Sequence, residues 1–253
     1  MRSVVQHVDP LRVRIVGRGR AGGSLNLALS ESPSVTVVES IAHNADLGPA
    51  AGDVDLVVLA VPDHAIASVA QRIVPCDSAV VIHLSGASGL DRLTPHSRRG
   101  SLHPLVSMSD PESGAKVLRG AWMAVSGDPL VHALAEALDG REFQVEESDR
   151  ALYHATAAIA ANHLVGLLGQ VERLSLQLGV PVEAFLDLAG TAFASTRHLG
   201  AAAALTGPVA RGDWETVRSH LAALPSSEVA LYRANLALVA RLANRVVPDD
   251  LVG

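Results

Sequence analysis

The sequence predicts an α/β domain with a doubly wound sheet, followed by a smaller all-α domain. Short Val/Ile/Leu runs alternate with helical stretches from residue 12 to residue 145, and only helical periodicity follows. Continuous β-branched runs suit strands that helices cover on both faces, as in a parallel sheet. We therefore expect two domains, residues 1–146 and 147–253.

Six apolar runs predict the strands of the first domain. In chain order they are VRIVG, VTVVE, DLVVLAVP, AVVIHLSG, GSLHPL and WMAVSG. Their length and β-branched content favour strands. Stretches such as DHAIASVAQRIV lie between them and have the periodicity of crossover helices.

A long apolar helix opens the second domain. The segment SDRALYHATAAIAANHLVGLLGQVERLSLQLG predicts a helix of about 28 residues that ends at Gly179. We interpret its apolar centre as buried protein core, because Asn162 and His163 interrupt it and a membrane span needs about 20 residues. The helices that follow are too few to cover it, so we expect a homodimer through this domain.

Composition argues against several other classes of protein. A net charge of −6 without a basic cluster disfavours a nucleic-acid partner. Cys76 is the only cysteine, which excludes a disulfide framework and a thiolate metal site. The N-terminal MRSVVQHVDPLR has no apolar signal core, so we expect a cytoplasmic protein with no membrane partner.

Three glycines after the first predicted strand form the pattern G-x-G-x-x-G. The first permits a tight turn, the second lets a pyrophosphate approach, and the third allows close packing of helix on strand. The following helix N-terminus offers free N–H groups to phosphate. The pattern predicts a Rossmann-like domain that binds NAD or NADP. Its expected contacts are Gly17, Arg18, Gly19, Arg20, Ala21 and Gly22 in the loop, with Val61 and Pro62 at a neighbouring strand exit.

Glu39 bears on the choice between the two cofactors. It follows Gly17 by 22 residues, where a carboxylate would bind ribose hydroxyls and repel a 2′-phosphate. Arg18 and Arg20 are close enough in sequence to reach a phosphate. The pattern therefore leans only slightly to NAD.

Catalytic candidates follow from where ligands bind in such a sheet, beyond the carboxyl ends of its strands. VVIHLSGASG places Ser85 at one exit, and GSLHPL places His103 at another. An imidazole with a pKa near neutrality suits proton exchange, although a loop histidine bonded to backbone is the structural alternative. At the exit VPDHA we expect Asp63 to cap a helix.

Polar residues in the helical half give further candidates. Tyr153, His154 and Asn162 interrupt the apolar helix, and buried polar groups need partners or a cavity. Asn162 lies about 12 Å along the helix from His154, so both could line one cleft without touching one atom. In ALTGPVARGDWETV, Arg211 with Thr206 could hold a carboxylate, and a solvated arginine is equally compatible.

Several motifs together resemble one family. They are the glycine loop, VPD, SG, LHPL, DRALYHATAAIAANHL and LTGPVARGD, within residues 12–245. The combination resembles bacterial Rossmann-like proteins with a C-terminal helical domain of formerly unknown function. That family lies in the 6-phosphogluconate dehydrogenase-like group, with ketopantoate reductases, prephenate dehydrogenases and pyrroline-carboxylate reductases. The resemblance implies an oxidoreductase, and ketopantoate reductase activity for some members.

The resemblance also assigns roles. LHPL is similar to the loop of prephenate dehydrogenases whose histidine contacts the reacting hydroxyl, which implies this role for His103. Ser85 lies near the serine that those enzymes place after a neighbouring strand. Ketopantoate and 6-phosphogluconate enzymes use a lysine on the long helix, but this helix contains none. His103 or His154 must then supply the proton.

We therefore predict a cytoplasmic NAD(P)-dependent oxidoreductase that transfers a hydride between nicotinamide and a small oxo- or hydroxy-carboxylate, with ketopantoate as the first substrate to test. His103 would exchange the proton, Ser85 would orient the oxygen, and Asn162 would anchor nicotinamide or substrate. Arg211 and Thr206 would hold the carboxylate. Two alternatives stay open: a non-catalytic NAD(P)-binding redox sensor, and an imine reductase of the pyrroline-carboxylate reductase type.

Overall fold

The computed structural model describes residues 9–252. The first eight residues and residue 253 lie outside the described part, so most of the N-terminal segment that we expected to lack a signal sequence lies outside it too. The chain divides into two compact units, one that ends at Asn162 and one that begins at His163. The first unit extends past the expected boundary at residue 146 because the start of the long helix is bonded to the sheet. There Arg150 donates to the Ser126 hydroxyl at 2.7 Å.

A seven-stranded sheet forms the centre of the first unit, in the order β2-β1-β3-β4-β5-β6-β7. Strands β1 to β5 are parallel, β6 is antiparallel to β5, and β7 is parallel to β6. The six predicted runs are confirmed as β1 to β6, and β7 is an addition. The strands are β1 (Leu11–Val16), β2 (Val35–Ile41), β3 (Leu56–Leu59), β4 (Val80–His83), β5 (Arg99–Pro104), β6 (Trp122–Gly127) and β7 (Arg141–Phe143).

Helices cover both faces of this sheet, as the continuous apolar strands predict. In β3, Val58 faces the core that includes Leu25 of the first helix, whereas Val57 faces the core that includes Ile66 of the second. Both strand residues are fully buried, which requires apolar side chains at successive positions. The helices of this unit are α1 (Arg20–Ser30), α2 (Ile66–Ala70), α3 (Pro111–Leu118), α4 (Leu130–Glu136) and α5 (Arg150–Ala158).

The second unit is helical throughout its described residues, which confirms the all-α prediction. Its buried core is small and consists of Val209, Val217, Leu236, Ala240 and Leu251. The helices are α6 (Leu164–Leu178), α7 (Val182–Leu199), α8 (Ala201–Ala204), α9 (Pro208–Arg211), α10 (Trp214–Ala223) and α11 (Ser226–Leu242).

The long helix has the predicted extent and is exposed in a single copy of the chain. Helix α5, a π-helical turn over Ile159–His163 and α6 follow one another, and Gly179 ends the run in the left-handed conformation. Residues 147–178 are the one described stretch that is long and apolar enough to cross a membrane, and none of its apolar window is buried. Leu152 is 70% exposed. One copy of the chain thus supplies too few neighbours to cover the helix, as expected from the sequence, and its burial by a second copy stays a prediction.

Candidate active site

The three glycines of the loop serve two different purposes. Gly17 has a φ of 116°, and a Cβ there would lie 2.2 Å from the Ala60 carbonyl oxygen. A Cβ on Gly22 would lie 1.9 Å from the Gly17 carbonyl oxygen. Around Gly19, by contrast, a Cβ would meet nothing within 4 Å, and its φ of −73° suits any residue. The fold itself thus requires Gly17 and Gly22, whereas Gly19 keeps a space clear.

That clear space lies at the N-terminus of α1. Gly19 is the N-cap, no side chain caps the helix, and its first turn has no acidic residue. The partial positive charge of the helix end is therefore available to an anion. Arg20 begins the helix, followed by Ala21. Val61, at the exit of β3, lies 3.4 Å from where a Cβ on Gly17 would be, and exposed Pro62 follows it. These residues fit the pyrophosphate of a dinucleotide.

Glu39 does not face this helix end. A register shift follows Val13, so that Arg14 pairs with Glu39, and their charged groups lie 3.8 Å apart. Arg14 also bonds the Ala50 carbonyl oxygen, on the sheet face opposite α1. Arg18 instead reaches the end of β2, where its Nε donates to the Ser40 carbonyl oxygen at 2.8 Å. The carboxylate that favoured NAD is turned away, which leaves the choice between NAD and NADP open.

His103, near the end of β5, forms the centre of the site with Tyr153. The Tyr153 hydroxyl lies 2.6 Å from Nδ1 of His103. Gly86 permits this ring position, because a Cβ there would lie 2.7 Å from the same nitrogen. Burial, and next the neighbouring His154, lower the pKa of His103 to about 4, while burial raises the pKa of Tyr153 to about 12. His103 is therefore neutral at pH 7, and its expected near-neutral pKa is wrong.

Ser85 shapes the loop that supports this histidine. Its hydroxyl oxygen accepts N–H bonds from Ala87 at 3.2 Å and Ser88 at 3.0 Å, and the residue is only 6% exposed. Both lone pairs are occupied, which leaves only the hydroxyl proton for another group. Asp63 is also placed differently from our expectation: Pro62 is the N-cap of the short helical turn there, and the Asp63 side chain makes no capping bond.

A cavity of about 660 Å³ lies beside His103. We call it the aromatic cavity, because three of the chain's seven Phe, Trp and Tyr residues line it. Strand register explains the grouping: His103 pairs with Ala124, which pairs with Phe143, and the small alanine leaves room between them. Trp122 and Tyr153 contact Phe143 edge-on, with ring centroids 6.3 and 5.9 Å from it.

Two predicted residues of the long helix also line the aromatic cavity. The His154 ring lies 6.2 Å from that of His103. Asn162 lies in the π-helical turn, a feature that often occurs at functional sites. The structure thus brings His103, His154 and Asn162 to one cavity. Thr206 and Arg211 belong to the second unit, where both are exposed.

Sequence reasoning missed three residues of the site. Tyr153 was recognised as a polar residue of the helix, but nothing in the sequence connected it with His103. Trp122 begins a predicted strand, and Phe143 lies in β7, which was not predicted. The available signal was the scarcity of aromatic residues, which make up only 3% of the chain.

Comparisons with known proteins agree with this architecture. Residues 42–107 match a Rossmann-like domain model, and residues 124–238 match the domain of unknown function DUF2520. A Bacteroides fragilis structure, provisionally described as an NADP oxidoreductase, aligns with a TM-score of 0.78 and 18% identity over 93% of this chain and 99% of that chain. The 1-pyrroline-5-carboxylate reductase of Streptococcus pyogenes aligns with a TM-score of 0.58 and 16% identity, over 93% and 97%. At these identities the two structures show the shared fold.

One curated relative is similar in sequence. Glycerol-3-phosphate dehydrogenase [NAD(P)+] of Idiomarina loihiensis is 27% identical over an alignment of 194 positions, which covers 62% of this chain and 57% of that protein. The matched region thus spans little more than half of the relative's length. Together the two domain matches cover most of the chain and follow one another in the order that the motifs predicted. The chain thus contains a Rossmann-like domain followed by a DUF2520 domain.

Proposed function

We propose that the protein is a cytoplasmic NAD(P)-dependent oxidoreductase that acts on a small oxo- or hydroxy-carboxylate, with ketopantoate as the first candidate. The observation that carries the proposal is the His103–Tyr153 pair, which lies at the carboxyl-terminal edge of the sheet that also presents the glycine loop. The described relatives include an NADP oxidoreductase and two named reductases or dehydrogenases, which supports this reaction class.

A nicotinamide dinucleotide would supply or accept the hydride, and the chain's own residues would handle the proton. With the proton of the neutral imidazole on Nδ1 and donated to the Tyr153 oxygen, Nε2 would accept the proton of the substrate hydroxyl. A neutral imidazole is ready to accept the proton of a hydroxy acid at pH 7. In the reduction direction His103 must first gain a proton, so reduction should accelerate as the pH falls towards 4.

The remaining predicted residues have supporting roles in this proposal. The Asn162 amide would anchor nicotinamide or substrate from the wall of the aromatic cavity. The His154 ring, 6.2 Å from that of His103, would exchange protons with it through water. Ser85 would orient the substrate oxygen with its free hydroxyl proton. Arg211 and Thr206 would bind the substrate carboxylate.

We also propose that a second copy of the chain covers the apolar helices. Val165 and Phe193 are 67% and 59% exposed, and none of the residues of α7 is buried. Exposed apolar area of this extent marks an interface. Light scattering should give twice the monomer mass. A monomer that sediments with lipid vesicles would instead favour a membrane as the cover.

Cofactor binding can be tested without disturbing the fold. Gly19→Asp places a carboxylate in the clear space, and aspartate is a favourable N-cap residue, so thermal stability should be kept. Repulsion of the pyrophosphate should weaken NADH or NADPH binding by about 100-fold, measured by nucleotide fluorescence. Gly19→Asn is the matched control, because it caps the helix without the charge and should weaken binding less. Equal affinity in all three proteins would refute the assigned cofactor site.

Turnover decides between enzyme and sensor. A panel of 2-oxo acids and cyclic imines should show NAD(P)H oxidation at 340 nm, and His103→Ala should lower it by about 100-fold. A preference for imines would favour the pyrroline-carboxylate reductase type. A protein that binds the cofactor tightly but oxidises none of it would favour the redox sensor.

A further inference from the structure

We propose that the aromatic cavity binds a bulky, uncharged apolar substituent of the substrate, so that the preferred substrates are 2-oxo acids with branched alkyl or aromatic side chains. This inference rests on the proposed function and adds the substrate class to it. It depends on the wall of the cavity, on the charged groups near it, and on its position relative to His103.

Most of the wall is apolar, and its polar side chains are His103, Tyr153, His154 and Asn162, which the proposed function uses, and the uncharged Ser107 and Thr156. Trp122, Phe143 and Tyr153 form one side, and small residues of the long helix, such as Ala157 and Ala161, form another. The volume of about 660 Å³ is within the range of small-molecule sites. Aromatic and methyl surfaces of this kind gain free energy by burying hydrocarbon.

Neither lysine nor arginine lines the cavity within the described part of the chain. Two arginines close to residues of the wall have other partners. Arg150 is 6% exposed and bonds Glu147 at 2.6 Å as well as the Ser126 hydroxyl. Arg141 lies against the Trp122 ring, 4.7 Å from its centroid, and donates to the Gly120 carbonyl oxygen. A carboxylate or phosphate inside the cavity would therefore lose its water without gaining a countercharge.

The position of His103 fixes which end of the substrate enters. His103 exchanges its proton with the oxygen on the reacting carbon, so that carbon stays next to the imidazole. The substituent on that carbon then extends towards Trp122 and Phe143, while the substrate carboxylate remains outside the aromatic cavity. The residues of the wall thus select for the side chain of a 2-oxo acid.

Two isosteric substrates test this inference. 5-Methyl-2-oxohexanoate and 2-oxoglutarate have side chains of equal size, and only the second carries a charge at its end. With saturating cofactor at pH 8, where histidine is ordinarily neutral, kcat/KM for the apolar acid should be about 100-fold higher. Phenylpyruvate should be accepted as well. Equal values, or a preference for 2-oxoglutarate, would overturn the inference.

A matched pair of variants locates the preference in the cavity. Thr156 is exposed, lines the aromatic cavity, and bonds the carbonyl oxygen of Leu152, four residues before it. Thr156→Arg supplies a cation that would attract the second carboxylate of 2-oxoglutarate. It should lower the ratio of kcat/KM for 5-methyl-2-oxohexanoate to kcat/KM for 2-oxoglutarate at least about tenfold. Ser30→Arg is the control, because Ser30 is also exposed and bonds the carbonyl oxygen four residues before it, but lies at the end of α1.

Phe143→Ala provides a second variant. It should lower kcat/KM for phenylpyruvate about tenfold while pyruvate changes little. An unchanged ratio of kcat/KM for the two isosteric acids in Thr156→Arg would refute the assignment of the cavity to the substrate side chain. Equal losses of kcat/KM for phenylpyruvate and pyruvate in Phe143→Ala would refute it as well. If cofactor binds but no 2-oxo acid reacts, the proposed function itself fails, and this inference fails with it.

Discussion

Acidification should destabilise the first unit in part through the side chain of His103. Its pKa falls to about 4 in the folded protein from an ordinary value of 6.5. The unfolded chain therefore binds a proton more readily between these values, and stability is full above pH 6.5 and declines as the pH falls towards 4. Linkage over this interval gives a loss of about 2 kcal/mol in the free energy of unfolding between pH 7.5 and pH 5.

Urea denaturation at pH 7.5, 6 and 5 measures this loss. In a Trp214→Phe background, the fluorescence of Trp122 reports on the first unit, because Trp122 lines the same cavity as His103. The variant His103→Gln cannot titrate and should lose about 2 kcal/mol less than the parent over the same interval. An equal loss in both proteins would show that His103 is not held neutral by its surroundings.

Three further predictions concern neighbouring side chains. Tyr153→Phe removes the hydrogen bond to His103 and should lower kcat about tenfold, while cofactor affinity stays unchanged. A larger loss of cofactor affinity than of kcat would contradict the role of Tyr153 in positioning His103. Gly22→Ala forces a Cβ against the Gly17 carbonyl oxygen and should destabilise the fold by more than about 3 kcal/mol, and an unchanged Tm would refute this. Arg150→Met should lower the free energy of unfolding by about 2 kcal/mol, because it leaves the Ser126 hydroxyl on the sheet without this donor. An unchanged free energy of unfolding in calorimetry would show that Arg150 does not hold the helix start to the sheet.

The strands and their cover could be predicted from the sequence because a doubly covered strand needs an apolar residue at every position. Val57 and Val58 face opposite cores, and the run that contains them has no polar interruption. Strand β7 escaped the same reasoning, because it has three residues and two of them are charged. Hydrogen bonds to β6 stabilise β7 as a strand, although its own sequence does not predict one.

The site was predicted less completely, for reasons that are also physical. His103 was found because its strand exit can be located from the apolar pattern. Its low pKa and its bond to Tyr153 depend on tertiary burial, which local sequence does not specify. The exposure of Leu152 has a similar origin: apolar composition shows that a helix needs cover but does not identify what provides it.

The unequal demands on the three glycines have an evolutionary consequence. A descendant that had abandoned dinucleotides would still need Gly17 and Gly22, because their neighbours are its own backbone. Gly19 would be the first position of the motif free to acquire a side chain, since no protein atom lies within 4 Å of a Cβ there. Among homologues, drift at that single position would therefore reveal loss of the nucleotide, even where the rest of the motif persists.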